Sequence, residues 1–505
     1  MERRIRRLGI ALVVLFAILF GQLAYVQVFA ADDIKNHPAN FSRQLIAEYN
    51  VQRGKILTAD GLVLAESVPG DPNSRYRFER RYPEGDLYGY ITGYYSRIYG
   101  RSALEQSMNP YLSGEAPELA ISTFGDLFLG RPKRGANVLV TIDADLQQVA
   151  RDAMAGNQGA VVAIEPSTGD ILALYATPGF DPNDLSNGTD EQIRQAWTSL
   201  NADPENPLLA LSNQELFLPG SSFKIVTASA ALENGFGPDS VWPNPHRLTL
   251  PLTNEQLQNF GDEHCNGGAS TITMAEAFEE SCNVTFAEIG LELGPERMAD
   301  QARRYGLCAT NPPEQTSCEE QLIRFELPFQ NGRFPDPAYF EQNDPLLAFS
   351  AIGLDNDLVN PLSMALTASA VANQGVMMEP RIVTQVRDSQ GRVAREFAPS
   401  EFGRAISGRS AADLTRMMIS VVNEGTGFRA QIPGIQVAGK TGTATNGEGQ
   451  APNAWFTAFA PVGGGRPPRI AVSVIVLDGG SLGSEATGGQ VAAPIARAVM
   501  EAYLR

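Results

Sequence analysis

Ser221 and Lys224 stand three residues apart, after Pro219-Gly220 and before the apolar run Ile225-Val226-Thr227-Ala228. Pro-Gly cannot sit inside a helix but the residues after it can, so the stretch reads as a tight turn opening a helix with Ser221 in its first turn. Positions three apart share a helix face. The pair therefore sets a hydroxyl nucleophile within reach of an amine that can serve as its base, beside the free N–H groups of a helix start. Ser-x-x-Lys also arises by chance, as a capping Ser with a solvated Lys one turn on. Lysine usage weighs against that bland alternative. Of 39 basic residues only five are lysines: Lys35, Lys55, Lys133, Lys224 and Lys440. Arginine keeps its proton in a protein, whereas lysine can lose it, so the few lysines are candidates for proton chemistry. Lys440 lies in the β-rich segment Val437-Ala438-Gly439-Lys440-Thr441-Gly442-Thr443, and Ser281-Cys282-Asn283 lies between the two. One Ser-x-x-Lys, one Ser-x-Asn and one Lys-Thr-Gly, in that order over about 220 residues, signal more together than any one alone. A Ser-His-Asp triad fits poorly, because His37, His246 and His264 are in no nucleophile motif.

Positioning these groups requires a framework. Strands are expected at 138–143, 159–164, 171–175, 455–460 and 470–477, with helices at 144–155 and 491–503. Strands at both ends around a helical middle predict an α/β fold of the α+β kind, an antiparallel β-sheet covered by helices, over a doubly wound parallel sheet. Ahead of this region, 53–57 and 59–65 read as short strands around Asp60-Gly61. Leu8 to Ala31 is 24 residues without a charge, preceded by Arg3, Arg4, Arg6 and Arg7. Such a run is long enough to cross a hydrocarbon core of about 30 Å, and its leading arginines predict a cytoplasmic N-terminus with the rest exported. A cleaved signal peptide is the alternative. The tail carries four Arg and one Glu, so a net charge of −18 leaves −21 on the remainder, which argues against a nucleic-acid partner.

The three motifs resemble those of the penicillin-recognising serine transferases and hydrolases. Nearly the whole chain is similar to a class B penicillin-binding protein, most like the actinobacterial penicillin-binding protein A type. Arg53-Gly54-Lys55-Ile56, Asp60-Gly61, Leu64-Ala65 and Ser102-Ala103-Leu104-Glu105 resemble that family's pedestal, where Gly is commoner at 103. Leu354 stands where the family commonly has Gln, and Ala210-Leu211-Ser212 where it often has Asn-Arg-Ala. The implied division is a cytoplasmic tail (1–7), a transmembrane anchor (8–31), a pedestal (32–138) and a penicillin-binding transpeptidase domain (139–505). About 110 residues before the catalytic domain are too few for a glycosyltransferase, so a second protein must polymerise the glycan. The family implies a SEDS-type membrane glycosyltransferase as that partner, among other proteins of cell-wall synthesis, cell shape and division.

The resemblance also implies roles for the site residues. Ser221 attacks the penultimate D-Ala of a peptidoglycan stem peptide, with Lys224 as base, Ser281 as proton relay and Asn283 holding Lys224 and the substrate amide. Lys440, Thr441, Gly442 and Thr443 bind the substrate carboxylate that β-lactam antibiotics mimic, and the N–H groups of Ser221 and Thr443 form an oxyanion hole. Burial and the charge of Lys440 are expected to lower the pKa of Lys224. No metal or other cofactor is expected, since the cysteine spacings do not match zinc sites. Cys265, Cys282, Cys308 and Cys318 all lie in the exported part, where disulfides persist. Three pairings exist, and proximity favours Cys265 with Cys282 and Cys308 with Cys318. A serine β-lactamase, a D,D-carboxypeptidase and a non-catalytic sensor or scaffold remain as alternatives.

Overall fold

The structure, a computed structural model, describes residues 2–28, 46, 48–119, 132–312, 322–341, 343–445, 447 and 449–505. Helix α1 (Glu2–Val28) starts inside the basic tail, and its Gly9–Val26 portion is long and apolar enough to cross a membrane. The large apolar side chains of that portion are exposed, Phe20 by 75%.

The hairpin around Asp60-Gly61 forms as expected. Ile56–Leu57 pairs antiparallel with Val63–Pro69, and Gly61 takes a φ of +94° in the turn. Phe78–Arg81 extends the sheet on one side, while Asn137–Val140, Val383–Arg387 and Val393–Glu396 extend it on the other. One sheet thus draws strands from both sides of position 138. Beneath it the carboxylate of Glu105 takes Arg53 Nε and Arg80 Nε at 2.6 Å each. All three side chains are buried. Tyr82 donates to the same carboxylate at 3.3 Å, and the Arg53 guanidinium lies 4.5 Å from the centre of the Tyr95 ring. A buried charge is tolerable only when paired and hydrogen-bonded, and here each charge is. Ala103, two residues before Glu105, has a φ of +44°, a conformation that favours glycine.

The C-terminal region runs in chain order as α2 (Ala144–Met154), β1 (Gly159–Ile164), β2 (Ile171–Thr177), α3 (Lys224–Glu233), α4 (Asn283–Leu293), α5 (Pro361–Ala372), α6 (Gly408–Asn423), β3 (Ala438–Ala444), β4 (Asn453–Ala460), β5 (Ile470–Val476) and α7 (Ala492–Leu504), with shorter elements between. The sheet order is β3-β4-β5-β1-β2 and every neighbouring pair is antiparallel. Strands from the two ends of the region 144–504 therefore meet where β5 pairs with β1, and a doubly wound parallel sheet is excluded. Every residue of β1, β4 and β5 is buried, which requires cover on both faces. Helices α2 and α7 pack together on the sheet, α5 is buried on all sides against β1, β4 and β5, and α6 braces the edge strand β3. That leaves the edge of β3 to face the start of α3.

Candidate active site

Pro219 leads into a single 3₁₀ turn, Gly220–Phe223, that continues directly into α3. Gly220 has a φ of +53°, and a Cβ there would lie 2.4 Å from Thr443 O on β3. Across the gap, a Cβ on Gly442 would lie 2.6 Å from Pro219 O and 3.0 Å from Ser222 N. Two glycines facing each other thus let the Ser221 turn and the edge strand approach more closely than side chains allow. The Trp455 indole fixes the turn by donating to Leu218 O at 3.0 Å, and Gly220 N donates to Gly353 O at 2.9 Å.

Lys224 is fully buried. Its Nζ lies 2.7 Å from Ser281 O, 2.8 Å from Asn283 Oδ1, 3.0 Å from Ser221 Oγ and 3.4 Å from Ser281 Oγ. The two shortest partners can only accept, so they take the two N–H groups of a neutral amine and leave its lone pair for the Ser221 hydroxyl. Burial, and then the charge of Lys440, hold the Lys224 pKa well below the usual lysine value. Lys440, also fully buried, donates to Ser281 Oγ at 2.8 Å and to Thr441 O at 3.1 Å, and burial brings its pKa down to about 7. Phe286 lies 5.7 Å under the Lys224 amine and Phe278 lies 5.6 Å under that of Lys440. Rings so placed favour the charged forms by roughly 0.5–2 kcal/mol, while full burial moves a lysine by as much as about 3–5 pKa units, so desolvation wins.

Ser281 Oγ thus bridges the two amines. Its backbone sits at a φ of +66°, a strained conformation for serine, which aims both its carbonyl and its hydroxyl at Lys224. Asn283 begins α4, where its N–H and that of Val284 both donate to Asn259 Oδ1, at 2.8 and 3.1 Å. Cys282 lies between Ser281 and Asn283 and is bonded to Cys265, which ties the motif to the loop that carries Asn259. Cys308 is disulfide-bonded as well; Cys318, the partner expected for it, lies outside the described residues.

Thr441 is buried with its hydroxyl 2.7 Å from that of Thr426, whereas Thr443 Oγ1 accepts from Gly488 N at 3.3 Å and keeps its O–H free to donate. The structure therefore brings Ser221, Lys224, Ser281, Asn283, Lys440, Thr441, Gly442 and Thr443 to one place. All but the two lysines line a cleft of 660 Å³. Asn259 and Thr426, which also line it, carry no motif, and only the turn-forming residues around them hinted at loops. Phe260 and Phe428 stand exposed at its mouth, by 66% and 56%. A hydroxyl, a neutral amine, a bridging hydroxyl and an ammonium in this order equip the cleft for acyl transfer through serine.

The family model for the penicillin binding protein transpeptidase domain matches residues 159–501, and that for the penicillin binding protein A dimerisation domain matches residues 53–138. The chain belongs to the class B penicillin-binding proteins. It is 37% identical over 513 residues to the peptidoglycan D,D-transpeptidase PbpA of Mycolicibacterium smegmatis, spanning 100% of this chain and 99% of that one. The ceftriaxone acyl-enzyme complex of penicillin-binding protein A from Mycobacterium tuberculosis superposes with a TM-score of 0.82 at 36% identity, over 91% of this chain and 100% of that one. The penicillin G acyl-enzyme complex of the same protein gives 0.79 at 36% identity, over 90% and 100%. Among class B penicillin-binding proteins, then, this chain is similar along its whole length to the A type.

Proposed function

We propose that this class B penicillin-binding protein is a membrane-anchored peptidoglycan D,D-transpeptidase with Ser221 as its nucleophile. The observation that carries the assignment is the fully buried amine of Lys224, 3.0 Å from Ser221 Oγ with its N–H groups committed elsewhere. Ser221 Oγ attacks the carbonyl carbon of the penultimate D-Ala of a stem peptide while Lys224 takes the hydroxyl proton. The N–H groups of Ser221 and Thr443 hold the developing oxyanion, where one lost donor typically costs about 10²–10³ in rate. The C–N bond then breaks, and the proton passes through Ser281 to the departing D-Ala amine. An amine of a second stem peptide attacks the acyl-serine, the ester C–O bond breaks, and Ser221 recovers a proton. Lys440 and Thr443 bind the donor's terminal carboxylate, and β-lactams acylate the same serine. Four arginines ahead of the apolar span Gly9–Val26 support a cytoplasmic N-terminus with the catalytic domain outside, where a SEDS-type glycosyltransferase supplies the glycan.

The test is the intact mass of the full chain in detergent, wild type and Ser221→Ala, followed after penicillin is added. A single lasting adduct on wild type, absent from Ser221→Ala, is expected. An adduct that hydrolyses within seconds would make the chain a β-lactamase, and no adduct would remove Ser221 as nucleophile.

A further inference from the structure

The catalytic cleft does not end at its mouth. Phe428, exposed on one wall, is also a wall of a second, open groove of 760 Å³ that runs to the face of α7. Besides Phe428 this groove is lined by Arg429, Ile432 and Pro433 on one side and by Pro494, Arg497 and Glu501 on the other. Arg429 is exposed, its guanidinium lies 5.6 Å from the centre of the Phe428 ring, and among the described residues it makes no ion pair. Glu501, the one carboxylate among the lining residues, is shared by Arg497 at 3.4 Å and Arg505 at 2.6 Å. In a chain of net charge −18 this groove is locally cationic, and an Arg fork matches a carboxylate with two parallel hydrogen bonds.

Transpeptidation needs two peptides at once. The donor is held by Ser221 and the Lys440 strand, and 660 Å³ is the size of a site for one small ligand, not for two peptide ends side by side. The second peptide must therefore enter over surface continuous with the cleft, and Phe428 supplies that continuity. We propose that the groove beyond Phe428 is the acceptor subsite. A second stem peptide lies in it with its terminal carboxylate on Arg429 and Arg497 and its amine reaching over Phe428 to acyl-Ser221. There the amine nitrogen bonds to the ester carbonyl carbon, the C–O bond to Ser221 breaks, and the amine's proton passes through Lys224 to Ser221 Oγ. This rests on the transpeptidase reading above.

Two arms of one experiment separate the two ideas, both on the full chain in detergent. In the binding arm Ser221 is first capped with penicillin, so no turnover is needed, and a synthetic stem peptide with a free side-chain amine is titrated against wild type, Arg429→Glu and Arg429→Lys. Arg429→Glu is expected to weaken binding about tenfold, Arg429→Lys to restore part of it, and the peptide's C-terminal amide to bind all three alike. Equal affinity across the variants, or an equal loss for the amide, would overturn the subsite. In the turnover arm cross-linked product per acyl-enzyme formed is measured by mass spectrometry, and Arg429→Glu is expected to lower it at limiting acceptor. A wild type that forms the penicillin adduct yet never cross-links would overturn the transpeptidase reading, and the binding arm would still decide the groove.

Discussion

Lys440 should set the alkaline limit of acylation by a carboxylate β-lactam. Its ammonium is buried and its pKa falls to about 7. With a lowered pKa the charged form is fully present below that value and is lost as pH rises through it. At pH 8 about a tenth of the free enzyme keeps the charge, and at pH 9 about a hundredth. If the ammonium is what holds a β-lactam's carboxylate, the second-order acylation constant, which follows the ionisations of the free enzyme, should fall about tenfold per pH unit above 7. Lys224 imposes the opposite limit, since it must be neutral to act, and its pKa is held well below the lysine range, so the acid limb lies on the low side. The assay compares a carboxylate β-lactam with its neutral amide, following adduct formation on the full chain by quenched mass spectrometry from about pH 6 to 9. The alkaline fall should appear for the acid and vanish for the amide, whereas the acid limb should be common to both. A flat profile for the acid, or equal slopes for the two compounds, would refute the assignment of Lys440 as the carboxylate's partner.

Gly442→Ala places a methyl 2.6 Å from Pro219 O and 3.0 Å from Ser222 N, both backbone. Pushing β3 away from Ser221 by such a margin should slow acylation about 10²-fold, and an acylation rate near wild type would show that the close approach is dispensable. Ser281→Gly and Ser281→Ala both remove the bridging hydroxyl and should both lose acylation. Because residue 281 holds a φ of +66°, the Gly variant should unfold at higher denaturant than the Ala variant, by about 1 kcal/mol. Glu105→Gln leaves Arg53 and Arg80 buried without their carboxylate and should cost about 3–5 kcal/mol in denaturant unfolding of the full chain; an unmoved midpoint would mean that the buried triad does not hold the pedestal.

The candidate site residues were legible because their spacing obeys local geometry. Three residues from Ser221 to Lys224 bring hydroxyl and amine together on a turn-helix junction, whatever the rest of the chain does. The alternation of long apolar runs at both ends of the domain likewise announced β1, β2, β4 and β5, since a fully covered strand has little choice of residue. What could not be read were the polar supports that come from elsewhere in the chain. Asn259 caps α4 from 24 residues upstream, and Thr426 meets Thr441 from 15 residues away; each is an ordinary loop residue until the fold is closed. Glu105 was read only as part of a structural motif, and its reason, two arginines 52 and 25 residues distant, exists only in three dimensions.

The strained serine shows why these supports matter. A φ of +66° at Ser281 costs free energy that nothing within Ser-Cys-Asn itself returns. It is held on one side by Cys282 bonded to Cys265 and by the start of α4 capped by Asn259, and on the other by the amines of Lys224 and Lys440. Relaxing that backbone would turn the carbonyl of Ser281 away from Lys224, and the amine would then lack one of the two acceptors that leave its lone pair for Ser221. The motif supplies the reacting groups, but the neutral, aimed state of Lys224 belongs to the loop around Asn259 and the disulfide as much as to the lysine.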